Sequence, residues 1–180
     1  MDAARFTPQT LRNIVNIMAS KENILYKALG IEEDRLWYCK KVNEELIATI
    51  NRKKPKTMEE LKSIWYAQEQ DSDQTRHYNR TRYHGLNLHA TFTKGTVEFR
   101  IFNSTLHAGE VKAYIQFCLA VTNQALVQKK ASSRKTETDN EKYAFRCWML
   151  RLGLIGDEFK TCRLHFLKNL EGNSAWRRGV

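Results

Sequence analysis

A change of hydrophobic period near the middle of the chain constrains the fold more than any other feature. From Leu86 the apolar residues take every second position, with Leu86, Leu88, Ala90 and Phe92 alternating with Asn87, His89 and Thr91. After Thr93-Lys94-Gly95 the alternation resumes, Val97, Phe99 and Ile101 standing against Glu98 and Arg100. Period two marks a strand with one buried face, and two such runs joined by a glycine-containing turn predict an antiparallel hairpin. Elsewhere the apolar residues keep helical spacing. The expected class is therefore α+β, a small antiparallel β-hairpin or sheet packed with about five or six α-helices.

Thr7-Pro8 sets a capping hydroxyl before a proline whose missing N–H is harmless at the first helical position. Leu11, Ile14, Val15, Met18, Leu25 and Leu29 then keep helical spacing as far as Gly30. A second helix is expected from about Asp34, with Leu36, Cys39, Val42, Leu46, Ile47 and Ile50 on one face,. Thr57 and Glu60 have the spacing of a capping box ahead of a short third helix carrying Leu61, Ile64 and Trp65,. Beyond the hairpin, Val111, Ile115, Cys118, Leu119, Thr122 and Leu126 predict a helix packed across it. Two more are predicted from Tyr143, Phe145, Trp148 and Leu152, and from Phe159, Cys162, Phe166, Leu167 and Leu170.

A chain of 180 residues, 42% of them apolar, can bury one core and is short for two,. The expected organisation is a single domain over 1–180, with N-terminal helices in 1–67, a hairpin-plus-helix core in 83–128 and C-terminal helices in 143–172. Residues 68–82 read as a surface loop. Residues 129–142 contain nothing apolar larger than alanine and many charges, which predicts a flexible linker,. A lone hairpin leaves open edges and an uncovered face, which predicts a homodimer.

No run approaches the roughly 18 apolar residues of a membrane span, and the first residues lack the order of a secretion signal,. A membrane partner is not expected, and the expected location is the cytoplasm. Cys39, Cys118, Cys147 and Cys162 are scattered singly through apolar-periodic segments, which predicts buried thiols and no metal site,. Formal charge is +10, with 12 basic against 10 acidic residues up to position 70 and 18 against 10 beyond it. Such an excess favours phosphates or an acidic partner. The clearest basic segment interleaves Arg76, Tyr78, Arg80, Arg82 and Tyr83, residue types that bind phosphate and stack on bases, although an ordinary solvated loop has the same composition,. Lys53 and Lys54, then Lys129, Lys130, Arg134 and Lys135, then Arg177 and Arg178 are the other basic candidates.

On the second strand Glu98 and Arg100 share a face, and Asn87 or His89 can lie beside them across the hairpin. Two readings stay open: a face that holds a divalent cation through Glu98 and a phosphate or carboxylate through Arg100, or a cross-strand salt bridge.

The run from Arg82 through Tyr83, His84, Gly85 and Leu86 to Asn87, followed by Lys94-Gly95-Thr96-Val97-Glu98-Phe99-Arg100-Ile101-Phe102-Asn103-Ser104-Thr105-Leu106, resembles the signature of the amidoligases. These are carboxylate–amine ligases with a glutamine-synthetase-like fold, frequent in phages and mobile elements of gut bacteria. The resemblance extends to Thr7–Ser20 and to the tail from Tyr143 to Trp176. It implies ATP- and magnesium-dependent joining of a carboxylate to an amine through an acyl phosphate, with Glu98 a metal ligand and Arg82 and Arg100 contacts to phosphate or substrate carboxylate. It also implies a sheet ahead of Met1, with a G-x-E-x-E strand and a strand of alternating histidines, that helps supply metal ligands and the nucleotide site. The chain is expected to begin after that sheet, which leaves Arg82, Asn87, Glu98 and Arg100 as a ligase-like remnant.

The expected function follows: a non-catalytic, amidoligase-like binding protein, without cofactor, that inhibits a type II RNA-guided CRISPR nuclease in a bacterial host by contacting the nuclease, duplex DNA or both. The alternatives are an ATP- and magnesium-dependent amidoligase completed by a missing N-terminal part, and a general nucleic-acid-binding protein.

Overall fold

The first helix is the axis of the structure. A computed structural model describes residues 1–67 and 73–177. In it α1 runs from Pro8 to Leu29, with Thr7 accepting from Thr10 N at one end and Gly30 closing the other at φ 57°. Leu11, Ile14, Val15, Met18, Leu25 and Ala28 are all buried, so the helix is covered on nearly every side, as a helix apolar around its circumference must be,.

α2 (Glu44–Lys53) and α3 (Met58–Tyr66) follow, capped by the side chains of Asn43 and Thr57. The second helix thus starts at Glu44 and not near Asp34, and Leu36 and Cys39 lie outside it: residues Glu33–Trp37 form a 3-10 turn and 38–43 are non-helical. Backbone partners explain the delay. Lys40 N donates to Tyr83 O, Gly85 N to Lys40 O, and Val42 N to the Glu22 carboxylate, so the amides an early helix would use are engaged elsewhere.

The hairpin is present but short. β1 (Leu86–Asn87) pairs antiparallel with β2 (Glu98–Phe99), and α4 (His89–Lys94) fills the stretch whose pattern predicts strand and turn. Residues 86–91 are buried without exception, so their alternation separates two sets of interior residues rather than inside from outside. The sheet edges are covered as well. The Met1 ammonium and carbonyl pair with Val97, Ala3 N donates to Gly95 O, and Lys40 forms a parallel bridge with His84. The open-edge argument for a homodimer therefore falls.

α5 (Ala108–Val127) packs on α1 and α7 (Lys160–Leu167), with α6 (Glu141–Arg151) beside α7. Its buried face is Ala113, Phe117, Val121 and Ala125, whereas Val111, Ile115 and Leu119 are exposed, so of the expected stripe Thr122 alone is fully buried. Small residues decide this: Ala113 and Ala125 let α5 approach its neighbours closely, and Phe117 stacks on Phe166 at 4.6 Å and meets Trp148 edge-on. One apolar core runs continuously from Ala3 to Leu170. Seven α-helices and one two-stranded sheet among the described residues make the chain α+β, with one or two helices more than expected.

Residues 129–136 are not a free linker. Asn13 donates to Ala125 O and Gln128 O and accepts from Ala131 N; Asn16 donates to Ala131 O; Thr136 N donates to Ser20 O, and Asn23 donates to Thr136 O. The segment is a strap tied along α1 by hydrogen bonds, a role that requires no apolar side chain. Among the described residues no helix is long and apolar enough to cross a membrane, and all four cysteines are free, with Cys39 and Cys162 buried.

Candidate functional site

The short sheet organises a polar site. Asn87 and Glu98 are register partners, and Asn87 Nδ2 donates to Glu98 Oε2 at 2.7 Å. Arg100 Nη1 donates to the other carboxylate oxygen at 2.9 Å, and its Nε reaches Tyr38 O at 3.3 Å. Asn87 and Glu98 line a cavity of about 180 Å³ together with Thr75, His77, Arg82, His89 and Lys94. His89 sits at its buried wall, 2.6 Å from Tyr66 Oη through Nδ1, and burial lowers its pKa. The ring is therefore neutral near pH 7, and the positive lining comes from Arg82 and Lys94.

The basic loop is folded rather than featureless. Asn79 is buried, accepts from Thr81 N and Oγ1, and donates to Asp73 O, which holds Arg80–Arg82 in a 3-10 turn. Arg82 donates to His77 O at 2.8 Å and lies 5.5 Å from the Tyr78 ring and 5.7 Å from the Tyr83 ring. Arg100 is 5.8 Å from the same Tyr83 ring. Arg76, Tyr78 and Arg80 are exposed. The first part of the expected loop, 68–72, lies outside the described residues, as does Arg178.

The structure brings Arg82, Asn87 and Glu98 to one cavity, and Asn87, Glu98 and Arg100 form one hydrogen-bonded network beside it. Glu98 pairs with Arg100 two positions along its own segment and with Asn87 across the sheet, so the cross-strand contact is a hydrogen bond and the ion pair is local. The remaining basic candidates lie elsewhere. Lys53 and Lys54 end α2, and Lys129, Lys130, Arg134 and Lys135 are on the strap, where Lys135 pairs with Glu44 and Ser133 accepts from Asn51 of α2. No described hydrogen bond or ion pair links either set to the 76–83 loop. Sequence reasoning missed Trp37, Tyr38 and Lys40, because the expected helix absorbed them. The signal was present in two adjacent aromatics followed closely by a lysine.

The chain matches, over residues 1–122, the model of a protein family described as "Putative amidoligase enzyme". The chain belongs to this amidoligase family. Neither the curated proteins nor the solved structures contain a match. The amidoligase match includes every residue of the cavity and ends within α5, short of the tail from Tyr143 to Trp176 that the sequence resemblance takes in.

Amidoligase chemistry implies magnesium and ATP, and the residues on hand can be tested against both. Glu98 already engages both carboxylate oxygens, and among the described residues no group of three or more His, Cys, Asp or Glu side chains is placed to hold a metal. Mg²⁺ demands a near-octahedral oxygen shell built on available carboxylates, so these residues do not fit the ion. A cavity of about 180 Å³ is also small beside the roughly 300–1,000 Å³ of pockets that enclose larger ligands,. What Arg82 and Lys94 at its rim do fit is a single anionic group of carboxylate or phosphate size.

Proposed function

We propose that this amidoligase-family chain acts by binding rather than by ligation, as an inhibitor of a type II RNA-guided CRISPR nuclease that also touches duplex DNA. The observation that carries the reading is the 76–83 segment, where exposed Arg76 and Arg80 flank Tyr78 and Arg82 is held between two tyrosine rings. On a chain of +10 formal charge, Arg82, already held by His77 O and two rings, meets a phosphate with little ordering cost,. Glu98 points the same way, since among the described residues no group of three or more His, Cys, Asp or Glu side chains is placed to share a metal with it,. A nuclease that holds nucleic acid in charged channels offers both a protein surface and phosphates to such a chain. The test is an electrophoretic shift with duplex DNA, with and without nuclease and guide, beside a cleavage assay. Binding to the nuclease and suppressed cleavage are expected; unchanged cleavage at large excess of the chain overturns the nuclease reading.

A second reading, ligation, is favoured by family membership and by the anion-sized cavity. It requires metal ligands beyond those described. Magnesium-dependent ATP hydrolysis that disappears in Glu98→Ala establishes it, and absence of nucleotide binding removes it.

The homodimer remains a proposal on new ground. Val111, Ile115 and Leu119 form an exposed apolar ridge one turn apart along α5,. Light scattering at tens of micromolar decides it.

A further inference from the structure

Two segments some forty positions apart in sequence are joined into one surface. Lys40 N donates to Tyr83 O and Gly85 N to Lys40 O, both at 2.9 Å, which ties 37–40 to 83–85. Tyr26 Oη donates to Cys39 O at 2.5 Å, and Arg35 donates to Arg100 O and Phe102 O at 2.9 and 3.0 Å, fixing the same stretch from below. On this frame four rings and two cations form a continuous row. Tyr78 lies by Arg82, Arg82 by Tyr83, and Tyr83 meets Tyr38 edge-on at 5.8 Å; next to Tyr38 in the chain, Trp37 carries Lys40 at 5.7 Å from its ring.

Three of these rings are open to solvent: Trp37 is 73% exposed, Tyr78 64% and Tyr38 52%. Rings of that size are normally drawn into the interior or into interfaces, where their area contributes most. Phosphates alone explain the cations but leave the ring faces without a role. In a duplex the base faces are stacked on each other and hidden, so only unpaired bases present flat apolar faces beside a phosphate chain.

We propose that Trp37, Tyr38 and Tyr78, with Lys40 beside Trp37 and Arg82 beside Tyr78, form a stacking platform for single-stranded nucleic acid. The inference rests on the reading of the chain as a polyanion-binding protein and adds single strands to the duplex named there. The rings stack on unpaired bases and the cations neutralise the adjoining phosphates. Because the frame is hydrogen-bonded beforehand, binding does not have to order the backbone that carries Trp37 and Tyr38,.

The experiment titrates the intact chain with oligothymidylate and oligouridylate of about 15 nucleotides, within the range covered by small single-strand sites, and with a duplex of equal length. A Trp176→Phe background removes the other exposed tryptophan, since Trp65 and Trp148 are buried. Both single strands are expected to bind, with DNA and RNA distinguished by their relative affinity, and to quench Trp37 fluorescence. By anisotropy of a labelled strand, Trp37→Ala and Tyr38→Ala each weaken binding about five- to a hundred-fold, the range of one lost stacking contact, and Trp37→Phe retains most of it. Single-strand binding without quenching, or binding insensitive to Trp37→Ala, overturns the platform. A duplex that binds while neither single strand does overturns it too and leaves the polyanion reading standing. No binding to any of the three overturns both.

Discussion

Asn87 and Glu98 face each other across the two-stranded sheet, and their side chains are hydrogen-bonded at 2.7 Å. Asn87 is 1% exposed, so its amide has no route to water. Glu98→Ala removes its acceptor and the partner of Arg100 together, and is expected to destabilise the chain by about 1–3 kcal/mol, the cost of a buried group left unpaired. Glu98→Gln keeps an acceptor for Asn87 and loses less. Urea unfolding of both variants checks this. A Glu98→Ala chain as stable as the parent shows that the network does not support the fold and returns Glu98 to the ligase reading.

Arg76 and Arg80 are exposed and line none of the described cavities, so on the proposed reading each meets a polyanion chiefly through a phosphate. Arg76→Ala and Arg80→Ala are each expected to weaken binding and to reduce the slope of log affinity against log salt by about one unit, with unfolding midpoints unchanged. Titrations at several salt concentrations measure it. An unaltered slope in both variants places the phosphate contacts on another surface.

The strap gives a prediction about integrity. Asn13 is fully buried and makes three hydrogen bonds, to Ala125 O at 3.2 Å, Gln128 O at 2.7 Å and from Ala131 N at 3.1 Å. Asn13→Ala is expected to cost about 2–3 kcal/mol and to open the strap locally. Trypsin then cuts after Lys129, Lys130 or Arg134 well before it cuts the parent there. Equal digestion rates would show that the strap is held by other contacts.

The parts of the fold that were legible in the sequence are those fixed locally. Thr7-Pro8 and Gly30 bound α1, Thr57 starts α3, and Gly153 follows α6, because caps act within a few residues of themselves,. What was hidden depends on distant partners. The helix expected from Asp34 gives way because Glu22 and Tyr83 take the amides of Val42 and Lys40. The α5 stripe was misread because alanines at 113 and 125 carry little weight in an apolar pattern yet occupy the closest contacts. The strap was invisible because its anchors are asparagines on another helix. At the site, the spacing of Glu98 and Arg100 was sufficient to find the network. Trp37 and Tyr38 join the surface through the backbone bridge at Lys40 and through the contacts of Tyr38 with Tyr83 and Arg100, none of which a local pattern announces.

Gly85 is required for space rather than for its backbone angles. A Cβ there would lie 2.5 Å from Tyr26 Oη and 3.5 Å from Ile101 Cβ. Gly85→Ala must displace the hydroxyl that holds Cys39 O, and is expected to cost about 1–3 kcal/mol through overpacking. Tyr26→Phe removes the hydroxyl and with it the clash. The double variant is therefore expected to be more stable than the sum of the two single losses predicts, a coupling read from a double-mutant cycle in urea. Strict additivity would place the strain of Gly85→Ala somewhere other than Tyr26.

Glu22 makes stability depend on pH in a direction opposite to that of most carboxylates. It is 5% exposed in the middle of α1, and its two oxygens accept from Val42 N at 3.0 and 3.2 Å. Burial pushes its pKa up to about 7, against the pull of the Val42 amide and of Lys41 and Lys135. The unfolded chain has the ordinary value near 4.5. Between those two values the folded chain keeps a proton that the unfolded chain has released, so stability falls as pH rises from 4.5 to 7 and levels off above,. The whole effect is at most about 3.5 kcal/mol, from roughly 1.4 kcal/mol per pH unit. Glu22→Gln keeps an oxygen for Val42 N and removes the titration. Relative to its own parent, the variant is expected to gain up to that amount at about pH 8 and nothing below the ordinary carboxylate value, with the other titrating groups cancelling in the comparison. Urea midpoints of the two chains at both pH values measure it, and a difference that does not change with pH would show that Glu22 titrates alike in the folded and unfolded chains, its burial offset by Lys41 and Lys135,.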